Sequence, residues 1–142
     1  MRLVLLSLLL VLAGCQAPAS NQASQPKVPT FYNHWELFAI DAVKVPKLKP
    51  AQLLNVDRNY MVSGMAGCNR VFGQGKFEDG VLSFENLSTT MKLCPAELDR
   101  YEQSITEVLS NDPKVTMYRG DLVLRANHRV LQYRLVKDAQ AD

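Results

Sequence analysis

Apolar residues fall into three regimes along the chain. Residues 3–12 are apolar except for Ser7, and a single charge, Arg2, precedes them. Such a run is far shorter than the ~20 apolar residues needed to cross a bilayer, and a basic start before it is the layout of a secretory signal peptide over residues 1–14. Residues 16–30 then carry three prolines, one charge and a single large apolar side chain, Val28. So little apolar surface cannot offset the entropy of ordering, which predicts a flexible tether over residues 15–30. From Phe31 onward, apolar and polar positions alternate in short runs.

Period-two alternation predicts strands over residues 34–40, 52–56, 60–65, 71–77, 81–84, 114–118, 122–124 and 130–136. In the first of these Trp35, Leu37 and Ala39 share a face. Turn chemistry separates the runs: Asp57-Arg58-Asn59, Glu78-Asp79-Gly80, Arg119-Gly120 and Asn127-His128, with glycine supplying the positive φ that tight hairpins require. One segment has a different period. Leu98, Tyr101, Ile105, Val108 and Leu109 form a helical stripe, Glu97 and Asp99 suit the positive N-terminal end, and Pro95 suits the first turn. The expectation is a mainly β (α+β) domain over residues 31–137, with one amphipathic helix lying on a sheet face or plugging a barrel end. Residues 138–142 form a polar tail.

Charge and cysteine usage refine this outline. The chain has 16 Lys+Arg and 14 Asp+Glu, and loss of Arg2 with the signal peptide leaves them nearly balanced, which gives no electrostatic case for nucleic acid as a partner. Leu12-Ala13-Gly14-Cys15 resembles the lipobox of bacterial lipoproteins, in which the cysteine becomes the lipidated N-terminus. Two acyl chains make a stable membrane anchor where one does not. Gln16, in place of Asp, implies by the same resemblance transport to the outer membrane, facing the periplasm. Of three cysteines, lipidation of Cys15 leaves Cys68 and Cys94 in an oxidising compartment. A bridge between them would close a loop of about 27 residues, worth ~3.5 kcal/mol in the chain-entropy picture, although spacing alone does not show that the pair can meet.

Val62-Ser63-Gly64-Met65-Ala66-Gly67-Cys68-Asn69-Arg70-Val71-Phe72-Gly73 resembles the signature of the META domain family, with Gly64, Gly67, Cys68, Asn69 and Gly73 as its marked positions. Trp35-Glu36-Leu37 resembles the family's opening strand, Thr90-Met91-Lys92-Leu93-Cys94-Pro95 its second cysteine segment, and Tyr101-Glu102-Gln103 its helix. In a gap-free match Lys92 stands where many members have Met and Met91 sits one place early, leaving the strand register before Cys94 open. The resemblance implies a small antiparallel barrel-like sheet of about seven or eight strands with one helix, and a Cys68–Cys94 pair. It further implies an envelope lipoprotein associated with heat or antibiotic stress, without catalytic activity, whose related folds include lipid-binding pilot lipoproteins.

Other chemistry has blander explanations. Cys68 with His34 or His128 as base would suit nucleophilic catalysis, but a second cysteine and export favour a bridge. Cys68, Cys94, His34 and His128 are zinc-ligand types without zinc-site spacing. Gly64, Gly67, Gly73 and Gly75 do not form a phosphate loop and suit turns, bulges or close backbone approach. Asn86-Leu87-Ser88 matches a glycosylation sequon by chance. No catalytic residue, metal or cofactor is assigned. Two functions survive: an envelope interaction module with a protein partner, and a carrier or pilot holding an apolar ligand in the barrel interior or the helix–sheet crevice. Met61, Val62, Met65, Val71 and Phe72 would line either a filled core or that pocket.

Overall fold

The alternating runs become nine strands and one helix in the computed structural model, which describes residues 31–136. The signal peptide, Cys15 with its tether, and the polar tail lie outside the described residues. The strands are β1 (His34–Ile40), β2 (Val43–Lys44), β3 (Leu53–Val56), β4 (Met61–Ala66), β5 (Asn69–Glu78), β6 (Val81–Thr89), β7 (Lys114–Tyr118), β8 (Asp121–Ala126) and β9 (Arg129–Leu135). The helix α1 (Ala96–Leu109) falls between β6 and β7. Neighbours pair antiparallel in the order β2-β1-β3-β4-β5-β6-β7-β8-β9, and β1 also pairs with β9. Eight strands therefore close into a barrel, and β2 is an extra strand folded back on the far half of β1.

Several local choices follow from residue chemistry. Asp79 and Gly80 turn with φ of 49° and 81°, and Arg119 and Gly120 with 53° and 89°, as two-residue hairpins demand. The register between β5 and β6 shifts at Gly73 and Gly75, opposite Leu87 and Phe84, so β6 carries one extra residue there, and such a bulge bends the strand that holds it. Pro95 is the residue before the helix (φ −55°, ψ 144°) rather than part of its first turn. Its ring fixes φ but leaves ψ extended, so the helix starts at Ala96. The seam between β6 and β7 is thin: Val81 opposite Lys114 is its one register pair. Leu82 N–H donates to Pro113 O (3.0 Å) and Val115 N–H to Gly80 O (2.7 Å) beside it.

Side chains fill the barrel. Trp35, Tyr133, Phe31, Leu54, Leu82, Leu122, Leu124 and Leu131 are buried in one cluster with Ile105, Val108 and Leu109 from the helix. The helix thus plugs one barrel end, its stripe widened by buried Ser104, whose hydroxyl donates to Arg100 O (2.9 Å). Burial pushes the Tyr133 phenol above its ordinary titration range. The run from Met61 to Phe72 divides by strand alternation: Val62 and Val71 are in the core, while Met61 and Phe72 are 45 % and 48 % exposed on the outer wall.

The two ends of the barrel differ. At one, Phe31 stacks on Tyr60 (5.8 Å) and meets Phe77 edge-on (4.8 Å), and Val136 N–H donates to His34 O (2.9 Å). The described chain therefore enters and leaves at the same end. The Gly67-Cys68 turn, the 90–94 loop and the start of α1 occupy the other.

Candidate functional site

The signature residues converge at that second end, where each has a mechanical task. Gly67 (φ +62°) opens the two-residue turn between β4 and β5. A Cβ there would stand 2.5 Å from Leu98 O and 2.8 Å from Glu102 Cβ, so only glycine lets the helix pack this close. Gln52 holds both sides of the glycine: its Oε1 accepts from Gly67 N–H (2.6 Å) and its Nε2 donates to Gly67 O (3.0 Å) and Pro50 O (2.9 Å). Gly64 and Gly73 sit inside their strands, where a Cβ would press on the backbone of Leu53 and Asn86 respectively.

Asn69 is the hub. Its Oδ1 accepts from Lys92 N–H (2.8 Å) and the Thr90 hydroxyl (2.8 Å), and its Nδ2 donates to Lys92 O (3.0 Å) and Glu102 Oε2 (2.8 Å). All four capacities of the amide are used, and the backbone donor and acceptor of Lys92 fix which way it points. Cys68 and Cys94 form a disulfide with a Cα–Cα distance of 5.5 Å. Cys68 N–H donates to Cys94 Sγ (3.1 Å), and Glu102 Oε2 lies 2.9 Å from the same sulfur. The segment before Cys94, whose register was open, is a loop: β6 ends at Thr89, Thr90 N–H still donates to Arg70 O (3.0 Å), and the residues beyond are held through Asn69 and the disulfide rather than a strand ladder.

Asn69 and Gln52 are almost wholly buried, and their polar atoms are spent on the protein itself. The site is a clasp that ties a loop and a helix to a hairpin. Cys68 and Cys94 are bridged, so neither offers a free thiol. His34 is exposed at the opposite end, its Nδ1 2.6 Å from Asn55 Oδ1, and His128 lies in the β8–β9 turn, so neither histidine joins the cysteines. The convergent metal-ligand types among the described residues are Cys68, Cys94 and Glu102, within 4.8 Å of one another, and two of them are bonded together. Gln52 and Glu102 belong to the clasp without having been marked in the sequence.

Outside the barrel, a cleft of about 460 Å³ lies between the β1–β2 hairpin and the helix, its lining including Ile40, Val43, Val45, Arg100 and Arg129. Arg129 crosses it, pairing with Asp41 (2.9 Å) and Glu107 (3.3 Å). Two further grooves flank Phe72 on the outer wall of β4 and β5.

A family model of the META domain matches residues 29–138. The chain belongs to the META domain family. The heat shock protein HslJ of Escherichia coli (strain K12) is 27 % identical over 131 residues, covering 91 % of each chain. One NMR structure of a protein superposes with a TM-score of 0.64 at 26 % identity, over 73 % of this chain and 89 % of that one. An NMR structure from Burkholderia xenovorans gives 0.59 at 22 % identity, over 75 % and 83 %, and agrees in fold. The clasp is thus the three-dimensional form, in this META domain, of the motif by which the sequence resembles the family.

Proposed function

We propose that this META domain is a non-enzymatic interaction module of the bacterial envelope, anchored by lipid on Cys15 to the outer membrane and serving tolerance of heat or antibiotic stress. The observation that carries the non-enzymatic part is the saturation of Asn69 and Gln52, whose hydrogen-bonding capacity is used to hold the fold. A catalytic centre needs unspent donors, acceptors or nucleophiles aimed at open space. The lipobox resemblance at 12–15 supports the anchor, Gln16 the outer membrane, and similarity to a heat shock protein the link to stress.

The anchor is tested by Cys15→Ser, which should abolish palmitate labelling and leave the protein uncut or in the soluble fraction. Continued labelling refutes lipidation at Cys15. The second function, an apolar-ligand carrier or pilot, is displaced from the barrel interior by the side chains that fill it. It keeps one location, the cleft between hairpin and helix. Lipid co-purifying with the protein, lost on substitution of the exposed cleft residue Val43→Asp, would support it; protein free of bound lipid would remove it.

A further inference from the structure

Two apolar side chains stand fully in solvent beside the clasp. Met91 is 96 % and Leu93 101 % exposed, one on each side of Lys92, whose N–H and C=O are both bound by Asn69. The next residue, Cys94, is bridged to Cys68. Such tips are usually free to fold back onto nearby apolar surface. Here the backbone is tied on the protein side, and the tips are held outward without further loss of chain entropy on docking.

Four basic residues stand around them, against three acidic ones. Lys92 lies between the tips and Arg70 beside the loop, its N–H donating to Thr90 Oγ1 (3.0 Å). Gln52 joins Pro50 O to Gly67 O, which brings the 45–52 loop with exposed Lys47 and Lys49 to the same end. Among nearby acids, Glu102 is engaged by Asn69 and Asp99 by Gln103 (2.7 Å), while Glu97 is exposed. The opposite end carries Asp57, Glu78 and Asp79 against Arg58 and Lys76.

We propose that the clasp end docks on an anionic lipid surface, with Met91 and Leu93 entering the interface and Lys47, Lys49, Arg70 and Lys92 meeting lipid phosphates. The inference deepens the envelope function and rests on it for placing the domain beside a membrane. Chain length permits it. The described chain begins at the far end, roughly 17 Å away by the rise of β4, and residues 16–30 reach ~45 Å when extended. A chain anchored at Cys15 can therefore lay the clasp end on the membrane that holds it. Charge complementarity favours lipid phosphate, and two small apolar tips suit a shallow insertion rather than a deep pocket.

The test uses the unlipidated chain from Gln16 to Asp142, which contains the whole barrel, so that docking is measured apart from the anchor. Flotation with vesicles of phosphatidylethanolamine and phosphatidylglycerol should recover the protein; neutral phosphatidylcholine vesicles should recover much less. Met91→Asp with Leu93→Asp should weaken binding at least about tenfold, and Lys49→Glu or Lys92→Glu roughly fivefold each. Tyr118→Asp, on β7 away from this end, should change nothing. All these side chains are exposed, and circular dichroism melts should match the parent. No flotation with anionic vesicles, or flotation unchanged in the Met91/Leu93 variant, overturns the proposal. Crosslinks from position 91 to a soluble protein in place of vesicle binding would do the same. Failure of palmitate labelling at Cys15 leaves this outcome unaffected, so the two proposals fail separately.

Discussion

The two ends of the barrel are closed by different physics. At the chain-entry end, Phe31, Tyr60 and Phe77 pack ring on ring, an attraction that is non-directional and tolerant of small shifts. At the clasp end, a disulfide, a saturated asparagine and a saturated glutamine hold a loop and a helix in one position. Apolar packing gains free energy roughly in proportion to area. Buried hydrogen bonds contribute less net stability but penalise any alternative that leaves them unmade. One end supplies cohesion and the other supplies a single geometry, which suits an end that presents side chains to something else.

Breaking each end separately should expose the difference. Phe31→Ala should cost about 4 kcal/mol in denaturant unfolding through the cavity it leaves, by a similar amount in oxidised and reduced protein. A much larger loss after reduction would mean that the ends are coupled. Next in size, Cys68→Ala, Cys94→Ala or dithiothreitol should each remove ~3.5 kcal/mol. The double mutant should lose no more than either single one, and additive losses would rule out a shared bridge. Smallest is Asn69→Ala, about 2 kcal/mol from orphaned groups around Lys92 and Thr90. Its signature should be local: amide exchange at residues 90–94 should rise while the chain-entry end stays protected. Uniform acceleration would show that Asn69 holds the whole barrel rather than one loop.

Much of the β framework was legible because alternation and turn chemistry are local signals. Residues 34–40 and 114–118 coincide with β1 and β7, and Asp79-Gly80 turns as its composition predicts. Elements lacking an apolar face were not. β2 has two exposed residues, and β6 runs on to Thr89 through a mostly exposed stretch beyond Phe84. The closed barrel came from family resemblance, the cysteine pair from that resemblance and from the cysteine count together, and the structure supplies their mechanics. Gln52 reaches Gly67 across 15 residues and Asn69 reaches Glu102 across 33. Single polar residues carry no periodicity that could announce such partners. Nor does an apolar letter reveal which side of the wall it faces, as Val71 and Phe72 show.

That Phe31 and Val136 lie at one end has a practical consequence. A reporter fused after the last residue leaves the barrel beside the N-terminal approach, so it adds bulk where the molecule is already occupied by its own chain. The hairpin turn, the 90–94 loop and the helix start then stay open to whatever they meet. Labels intended to report on that meeting belong at Met91 or Leu93, and labels intended to leave it undisturbed belong at the C-terminal end of the chain.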